Sequence, residues 1–211
     1  VGKTCLLKSY IQREFPTEDI PSVFENYTTK IEGPKNKVIE LALWDTASQE
    51  EFNRLRPLSY SGVDIVMVCY AVDNSQSLAN VKDIWFPEVK HFCPDIPIML
   101  IGMKSDLNVR NFNFKTNNKE MVNVEMAETT GKKLGAFVHI QCSSKNKTNV
   151  DEVFNIALNA GLYDVLYGPK EFPPVLKNPF KKNLSLKKSN TDVQAGHDKL
   201  DDKRKHKCQI L

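Results

Sequence analysis

Four clusters of polar residues follow apolar segments of this 211-residue chain, and their side chains could bind phosphate, a metal ion or a nucleobase. A lysine can neutralise phosphate charge, hydroxyl and carboxylate oxygens suit Mg²⁺, and a carboxylate can accept paired N–H groups. If the apolar segments are parallel strands, their carboxyl ends place the clusters along one edge of a sheet, where such sheets bind ligands. The clusters are Gly2-Lys3-Thr4, Asp45 to Gln49, Lys104 with Asp106, and Ser143-Ser144-Lys145.

The first cluster has the form of the closing half of a phosphate-binding loop. Gly2-Lys3-Thr4 matches the end of the pattern G-x-x-x-x-G-K-[ST], and the apolar residues after it suit a helix. In such a loop, backbone N–H groups cradle phosphates, the lysine reaches the terminal phosphates and the threonine hydroxyl binds Mg²⁺. The triplet also arises by chance. The first glycine and the preceding strand are absent, so we expect the chain to be a fragment of a longer protein.

Asp45 closes an apolar segment that suits a buried strand. Residues 38–44 are apolar apart from Glu40, and small polar residues and a turn follow the carboxylate. Taken alone, an aspartate at such a point is more often a turn or helix-capping residue than a ligand. The three other clusters favour a role in binding.

The rest of the chain alternates between strand and helix patterns. We predict strands at residues 27–31, 38–44, 64–72, 98–102 and 137–141, the first two as an antiparallel hairpin around the turn 33–37. Helical patterns occupy residues 5–11, 75–92, 126–134 and 150–167, with a helix-like stretch at 46–60 and a surface insertion at 108–123. This alternation predicts an α/β domain with a mostly parallel sheet flanked by helices.

Within these elements, the apolar spacing predicts which side chains face the core. The helix at 75–92 should bend at Pro87 and point inward Leu78, Val81, Ile84, Trp85 and Val89. The last helix should bury Val153, Phe154, Ile156, Ala157 and Ala160. His139, inside a strand and without an apparent partner, is expected to be a packed core residue rather than a catalyst.

Length and composition favour one domain followed by a basic tail. The 41% hydrophobic content is enough for one core. Residues 170–211 hold eleven Lys/Arg and five Asp/Glu, a net +6, which leaves −3 on the rest of a chain whose total is +3. The five cysteines lack paired spacing, which argues against disulfides or a zinc site and favours a reducing compartment. No apolar run approaches the roughly 18 residues of a membrane span.

Together, the four clusters resemble the nucleotide site of the small GTPases, and longer stretches resemble the Rho family. Those stretches are residues 23–27, 40–47, 54–60 and 87–94 and the insertion after Leu107. Residues 103–106, 135–137 with 139–143, and 177–181 look closest to the fungal Rho-four branch. The resemblance covers residues 1–167 and implies the P-loop NTPase fold without its first strand. Residues 168–211 would be a disordered basic tail.

For phosphate and metal, the resemblance implies GTP or GDP bound with Mg²⁺. Lys3 and Thr4 would hold the β- and γ-phosphates and Mg²⁺, with Gly2 in the phosphate loop. Ser22 would be the second hydroxyl on Mg²⁺, and Asp45 would orient the metal through water. Gln49 would position the attacking water. The backbone N–H of Ser48 would meet the γ-phosphate.

For the base, Lys104-x-Asp106 is similar to the guanine-specificity motif of the family. The carboxylate there takes two hydrogen bonds from guanine that adenine cannot supply, and the wrong base leaves a charged acceptor unpaired. Phe15 matches the aromatic residue that lies against the base. The second base-contact loop would comprise Ser143, Ser144 and Lys145.

The implied activity is hydrolysis of GTP by in-line attack of water on the γ-phosphate. It would be slow alone and accelerated about 10³–10⁵-fold when an activating protein supplies an arginine. Loss of the γ-phosphate releases two loops, so the resemblance implies a switch that signals to actin, cell polarity, septation and cell-wall pathways. Implied partners are exchange factors, activating proteins, a dissociation inhibitor and effectors, but no nucleic acid. The effector loop would comprise Val23, Phe24, Glu25, Asn26 and Tyr27.

Several positions depart from the family pattern. Ser22 stands where threonine is usual and keeps the hydroxyl, and Ser144 replaces an alanine of which only the backbone N–H is needed. Met103 replaces a polar residue, with loss of a hydrogen bond worth about 0.5–1.5 kcal/mol. Ser48 replaces a glycine, and serine resists backbone angles that glycine tolerates. We expect Ser48 to make switching sluggish.

The chain ends in a basic run followed by Cys208-Gln209-Ile210-Leu211. A cysteine four residues from the end with a terminal leucine indicates prenylation, with geranylgeranyl favoured. The basic run would add attraction to anionic membrane at about 1 kcal/mol per charge. We therefore expect location at the cytoplasmic face of the plasma membrane with a cytosolic pool. A merely solvated basic tail is the alternative.

Three functional classes fit these residues. The first is a membrane-anchored GTPase switch. The second is a pseudo-GTPase binding module that keeps the fold and effector loop but cycles poorly because of Ser48 and Met103. The third, an unrelated P-loop kinase or ATPase, is disfavoured by Lys104-x-Asp106. The sequence does not separate the first two.

Overall fold

The computed structural model describes residues 1–16, 24–32, 38–46, 56–110, 121–162 and 206–210; the side chains of 24, 32, 109, 110 and 206–210 are not described. Within these ranges, six strands form one sheet in the order β1-β2-β6-β3-β4-β5. β1 runs antiparallel to β2, and the other neighbouring pairs are parallel. The strands are β1 (Phe24–Glu32), β2 (Val38–Thr46), β3 (Ile65–Ala71), β4 (Ile98–Met103), β5 (Val138–Gln141) and β6 (His206–Ile210). This arrangement confirms the predicted α/β class and the hairpin.

Helices connect the parallel strands. They are α1 (Lys3–Ile11), α2 (Ser75–Asn80), α3 (Phe86–Phe92), α4 (Asp106–Arg110), α5 (Val124–Leu134) and α6 (Val150–Gly161). A 3-10 turn covers Arg56–Ser59, and a π-helical turn, Val81–Trp85, joins α2 to α3. No helix in the described ranges is both long and apolar enough to cross a membrane.

The sheet is buried on both faces, as the uninterrupted apolar runs predict. Along β3, Ile65, Met67 and Cys69 pack on one side in a core shared with α1 and α6. The alternate residues Val66, Val68 and Tyr70 pack on the other side with α2, α3 and α5. The predicted inward face of α6 is confirmed, since all five of its side chains are buried: Val153, Phe154, Ile156, Ala157 and Ala160.

The predicted helix at 75–92 differs from expectation in its middle. Phe86 donates its backbone N–H to the carbonyl of Val81, five residues back, just before Pro87, which has no N–H to donate. The wider turn shifts the residues around it to new faces. Ile84, predicted inward, is 46% exposed, whereas Phe86 is 2% exposed. The inward prediction for Ile84 is therefore wrong, and those for Leu78, Val81 and Val89 are confirmed.

Strand β6 is the largest difference from the sequence prediction. Residues 168–211 were expected to be a disordered tail, but 206–210 pair with both β2 and β3 in the middle of the sheet. A gap between two parallel strands leaves rows of N–H and C=O groups without partners, and an added strand satisfies them. For these five residues the expectation of disorder does not hold.

Several predicted elements lie outside the described residues. They are the turn at 33–37, the part of the insertion at 111–120, most of the stretch after Asp45, the end of the last helix beyond residue 162, and the linker before β6.

Candidate functional site

The amino end of α1 forms the phosphate side of the candidate site. Gly2 precedes the helix with φ 107°, a left-handed conformation that glycine adopts without steric cost. Its carbonyl accepts the N–H of Leu6 at 3.1 Å, and Lys3, the first helical residue, is only 8% exposed. The first N–H groups of a helix lack intrahelical partners and carry partial positive charge, so this end suits an anion.

Thr4 and Asp45 meet at this helix end. The Thr4 hydroxyl donates to Oδ2 of Asp45 at 2.5 Å, although 41 residues separate them. Asp45 lies near the end of β2 and is 1% exposed. The structure therefore brings together two of the predicted clusters and presents a hydroxyl and a carboxylate side by side.

The two predicted base-binding loops also meet. Asp106 is the first residue of α4, and its Oδ1 accepts a hydrogen bond from the Ser143 hydroxyl at 2.6 Å. The backbone N–H of Ser105 donates to the carbonyl of Cys142 at 3.0 Å. Ser144 is buried and Lys145 is exposed. These bonds join the ends of the neighbouring strands β4 and β5.

Lys104 has a partner that the sequence did not reveal. Its backbone is left-handed, with φ 62°, and its Nζ lies 3.0 Å from Oδ2 of Asp73, in the turn after β3. Both side chains are partly exposed, so the pair is screened by water. The only sign of this partner in the sequence is that Asp73 follows a buried strand by two residues.

Met103 connects the phosphate side to the base side. It is 1% exposed, and its sulfur lies 3.8 Å from Sγ of Cys142. A Cβ built on Gly2 would lie 3.8 Å from the Met103 methyl carbon. Apolar packing thus occupies the place where a polar side chain was expected from the family pattern.

The buried thiols near the site do not suit nucleophilic catalysis. Burial raises the pKa of Cys69 to about 12, and burial also raises the pKa of Cys142. Because the thiolate is the reactive form, both groups are unreactive at neutral pH.

The remaining predicted residues are only partly described. Phe15 is 40% exposed, beyond the end of α1. In β1, the Tyr27 hydroxyl donates to the Glu25 carboxylate and Asn26 is exposed. The backbone of Phe24 lies in β1 and that of Cys208 in β6. Four positions lie outside the described residues: Ser22, Val23, Ser48 and Gln49.

Sequence comparison agrees with this arrangement. The Ras family model matches residues 1–162, so the chain belongs to the Ras family of small GTPases. It is 53% identical over 215 residues to the GTP-binding protein RHO4 of Saccharomyces cerevisiae, covering all of this chain and 72% of that protein. The RHO4 protein of Eremothecium gossypii is 51% identical over 210 residues, with 100% and 76% covered. A GTP-binding RHO-like protein of Candida albicans is 53% identical over 158 residues, covering 75% of this chain and 42% of that protein.

Within the Ras family, the chain is a Rho-type GTP hydrolase of the fungal Rho-four branch. It binds GTP and GDP. As in other small GTPases, its protein partners are regulators and effectors. These findings do not favour the pseudo-GTPase alternative.

Proposed function

We propose that this Rho-type GTPase binds nucleotide along the carboxyl edge of its sheet and uses Mg²⁺. Gly2, Lys3 and Thr4 hold the phosphates, and Asp45 acts with Thr4 at the metal. The observation that carries this proposal is the Thr4–Asp45 hydrogen bond at the amino end of α1. It places a cation-binding pair of oxygens beside a helix end suited to phosphate.

The oxygens present fit Mg²⁺ when phosphates complete its shell. No cluster of three or more His, Cys, Asp or Glu in the described ranges could hold a metal alone. Mg²⁺ usually keeps several waters and takes one or two protein oxygens with substrate phosphates. When bound, the ion would neutralise phosphate charge. The second hydroxyl would come from Ser22, as in the family pattern.

The base side recognises guanine through Asp106. A carboxylate has about four lone-pair sites, so Asp106 can accept the Ser143 hydroxyl and still receive two N–H groups from a base. Phe15 and Lys104 flank the base, and Ser144 with Lys145 completes the second loop. A base without matching donors would leave the carboxylate under-satisfied.

Hydrolysis and switching depend on Ser22, Ser48 and Gln49, which lie outside the described residues. In the proposed reaction Gln49 orients the attacking water, and the N–H of Ser48 contacts the γ-phosphate. Loss of that phosphate frees the segment that contains Ser22, and effectors bind through the adjoining residues 23–27, the last four of which lie in β1. The proposed regulators are exchange factors, activating proteins and a dissociation inhibitor. The proposed outputs are actin organisation, cell polarity, septation and cell-wall pathways.

The proposed anchor is a prenyl group on Cys208 beside the basic run. In β6 the backbone of Cys208 pairs with Leu43 on one side and Ile65 on the other. A transferase must reach the terminal residues, so β6 and prenylation exclude each other, and the segment must leave the sheet to be modified. The lipid would place the protein on the cytoplasmic face of the plasma membrane, with a cytosolic pool. The intact mass of protein expressed in a fungal host tests the modification: the wild-type protein should carry the added mass of a prenyl group, and Cys208→Ser should not.

Release of phosphate from GTP tests the catalytic proposal. Purified protein should hydrolyse GTP slowly in Mg²⁺, and Gln49→Leu should stop hydrolysis while leaving binding of fluorescent GDP intact. Addition of EDTA should speed GDP release. An unchanged rate of GTP hydrolysis in Gln49→Leu would contradict the role of Gln49. GDP release that does not respond to EDTA would contradict the proposed binding of Mg²⁺.

A further inference from the structure

A chain of hydrogen bonds lies directly behind the base-binding loops. Asn108 is two residues beyond Asp106, and Gln141 is two residues before Ser143. Nδ2 of Asn108 donates to Oε1 of Gln141 at 2.8 Å. The bond is a second tie between the loops that the Ser143–Asp106 contact already joins.

The chain continues into the core of the sheet. Nε2 of Gln141 donates to the Tyr70 hydroxyl at 3.1 Å, and that oxygen lies 2.9 Å from Nε2 of His139. Tyr70 is fully buried, and its ring stacks on His139 with centroids 5.9 Å apart. Asn108 on α4 is thus connected to a rigid anchor on β3.

The chain crosses β4 at a glycine. Gly102 pairs with Tyr70 on β3 and with Gln141 on β5, so the three residues form one row across the sheet. A Cβ on Gly102 would lie 2.6 Å from the Tyr70 hydroxyl and 2.8 Å from Cγ of Gln141. The absence of a side chain at Gly102 leaves the space in which the hydrogen bonds form.

Two of the three hydrogen bonds in this chain have a defined direction. Asn108 donates to Gln141, and Gln141 donates to the Tyr70 hydroxyl, which pairs with Nε2 of His139. Burial lowers the pKa of His139 to about 4, which keeps the imidazole neutral at physiological pH. The fully buried Tyr70 hydroxyl therefore has two partners, and connected networks of this kind hold their members in one geometry.

We propose that Asn108, Gln141 and Tyr70 are positioning residues for base recognition, fixing α4 so that Asp106 presents its carboxylate to both N–H donors of guanine. Their role rests on the proposed function of Asp106 as the base acceptor. None of the three touches the base; they act through α4 and the loop after β5. Their loss should weaken guanine binding and, more tellingly, reduce the preference for guanine over hypoxanthine, which lacks the exocyclic amine.

Competition binding with GDP and IDP tests this role. Dissociation constants are measured against fluorescent GDP in Mg²⁺ for the full-length wild-type protein, Asn108→Ala and Tyr70→Phe. Asn108→Ala should lower GDP affinity about two- to tenfold, the span of one ordinary hydrogen bond, and IDP affinity less. Tyr70→Phe keeps the ring and should act in the same direction more weakly. The double variant should show a non-additive effect, because both residues belong to one network.

An exposed asparagine in α6 is a matched control. Nδ2 of Asn159 donates to the carbonyl of Asn155 at 2.8 Å, and Asn159→Ala removes this bond from a helix that contributes no residue to the network. It should leave both affinities unchanged. Parallel melting curves show whether the variants fold.

Three outcomes would overturn the proposal. If Asn108→Ala leaves the GDP and IDP affinities unchanged while Asp106→Ala abolishes the preference for GDP over IDP, the network has no positioning role although Asp106 still reads the base. Equal losses for GDP and IDP that follow a lowered Tm would show a merely structural role. A wild-type protein that binds no guanine nucleotide would refute the proposed function, and the network with it.

Discussion

Oδ2 of Asp45 accepts a 2.5 Å hydrogen bond from the Thr4 hydroxyl, so the end of β2 is joined to the first turn of α1. The contact connects a nearly fully buried carboxylate to a helix end whose first N–H groups have no partner within the helix. Both residues lie at the edge of the sheet where the proposed site would hold phosphate and Mg²⁺.

Thr4→Ala should weaken Mg²⁺-dependent GDP binding. The change removes a hydroxyl beside Asp45, and a hydrogen bond to a charged group corresponds to about 10–100-fold in affinity. Titration of fluorescent GDP with and without Mg²⁺ measures the loss. Thr4→Ser keeps the hydroxyl and should bind nearly as wild type; equal weakening in both variants would argue against the hydroxyl.

Ser48→Gly should sharpen the switch. Glycine tolerates backbone angles that serine resists, so the N–H at this position should reach the γ-phosphate more easily. We expect a larger ratio of effector binding with GTP over GDP in the variant. A normal nucleotide-dependent response in wild type that the substitution does not improve would rule this out.

Glu88→Ala should strongly lower the free energy of unfolding. Arg56 is 1% exposed, its Nε lies 2.7 Å from Oε1 of Glu88, and Tyr60 donates to the same carboxylate. Glu88→Ala takes the charged partner from a buried guanidinium, and breaking a buried ion pair in this way costs up to about 3–5 kcal/mol. Urea unfolding of the GDP-bound protein measures the change.

The exposed pair Lys82–Asp83 is the control for that experiment. Its atoms are 3.9 Å apart and both side chains are more than half exposed, so Asp83→Ala should have little effect. A Glu88→Ala protein as stable as Asp83→Ala would contradict the importance of the buried pair.

The free energy of unfolding should depend on pH through His139. The pKa of His139 is lowered to about 4 in the folded protein from 6.5, so between these values the unfolded chain binds the extra proton. Stability is therefore full above pH 6.5 and falls as the pH drops towards 4. His139→Gln should reduce this fall in denaturant titrations at pH 7 and 4.5. Parallel losses in both proteins would contradict the assignment to His139.

Features of the fold that depend on local periodicity could be predicted from the sequence. Features that depend on contacts between distant segments, or on a local break in helix geometry, could not. The hairpin of β1 and β2 and the buried face of α6 follow directly from alternation and helical spacing. Phe86, by contrast, is buried in place of Ile84 because a π-helical turn precedes Pro87. A regular helical pattern cannot show where such a turn lies.

The site shows the same division. The clusters at Thr4, Asp45, Asp106 and Ser143 could be found by residue type, and the structure brings them together in two pairs. The hydrogen-bond and ion-pair partners of His139, Gln141 and Lys104 could not be found in this way, because each partner lies on another strand or turn. Strand β6 was also missed, since its pairing depends on a place in the sheet rather than on its own residues.

The nucleotide content of the purified protein tests the central claim most directly. Bound nucleotide is released by denaturation and identified by chromatography. About one GDP or GTP per protein molecule is the predicted result. Absence of guanine nucleotide, with no binding of added GDP in Mg²⁺, would contradict the account.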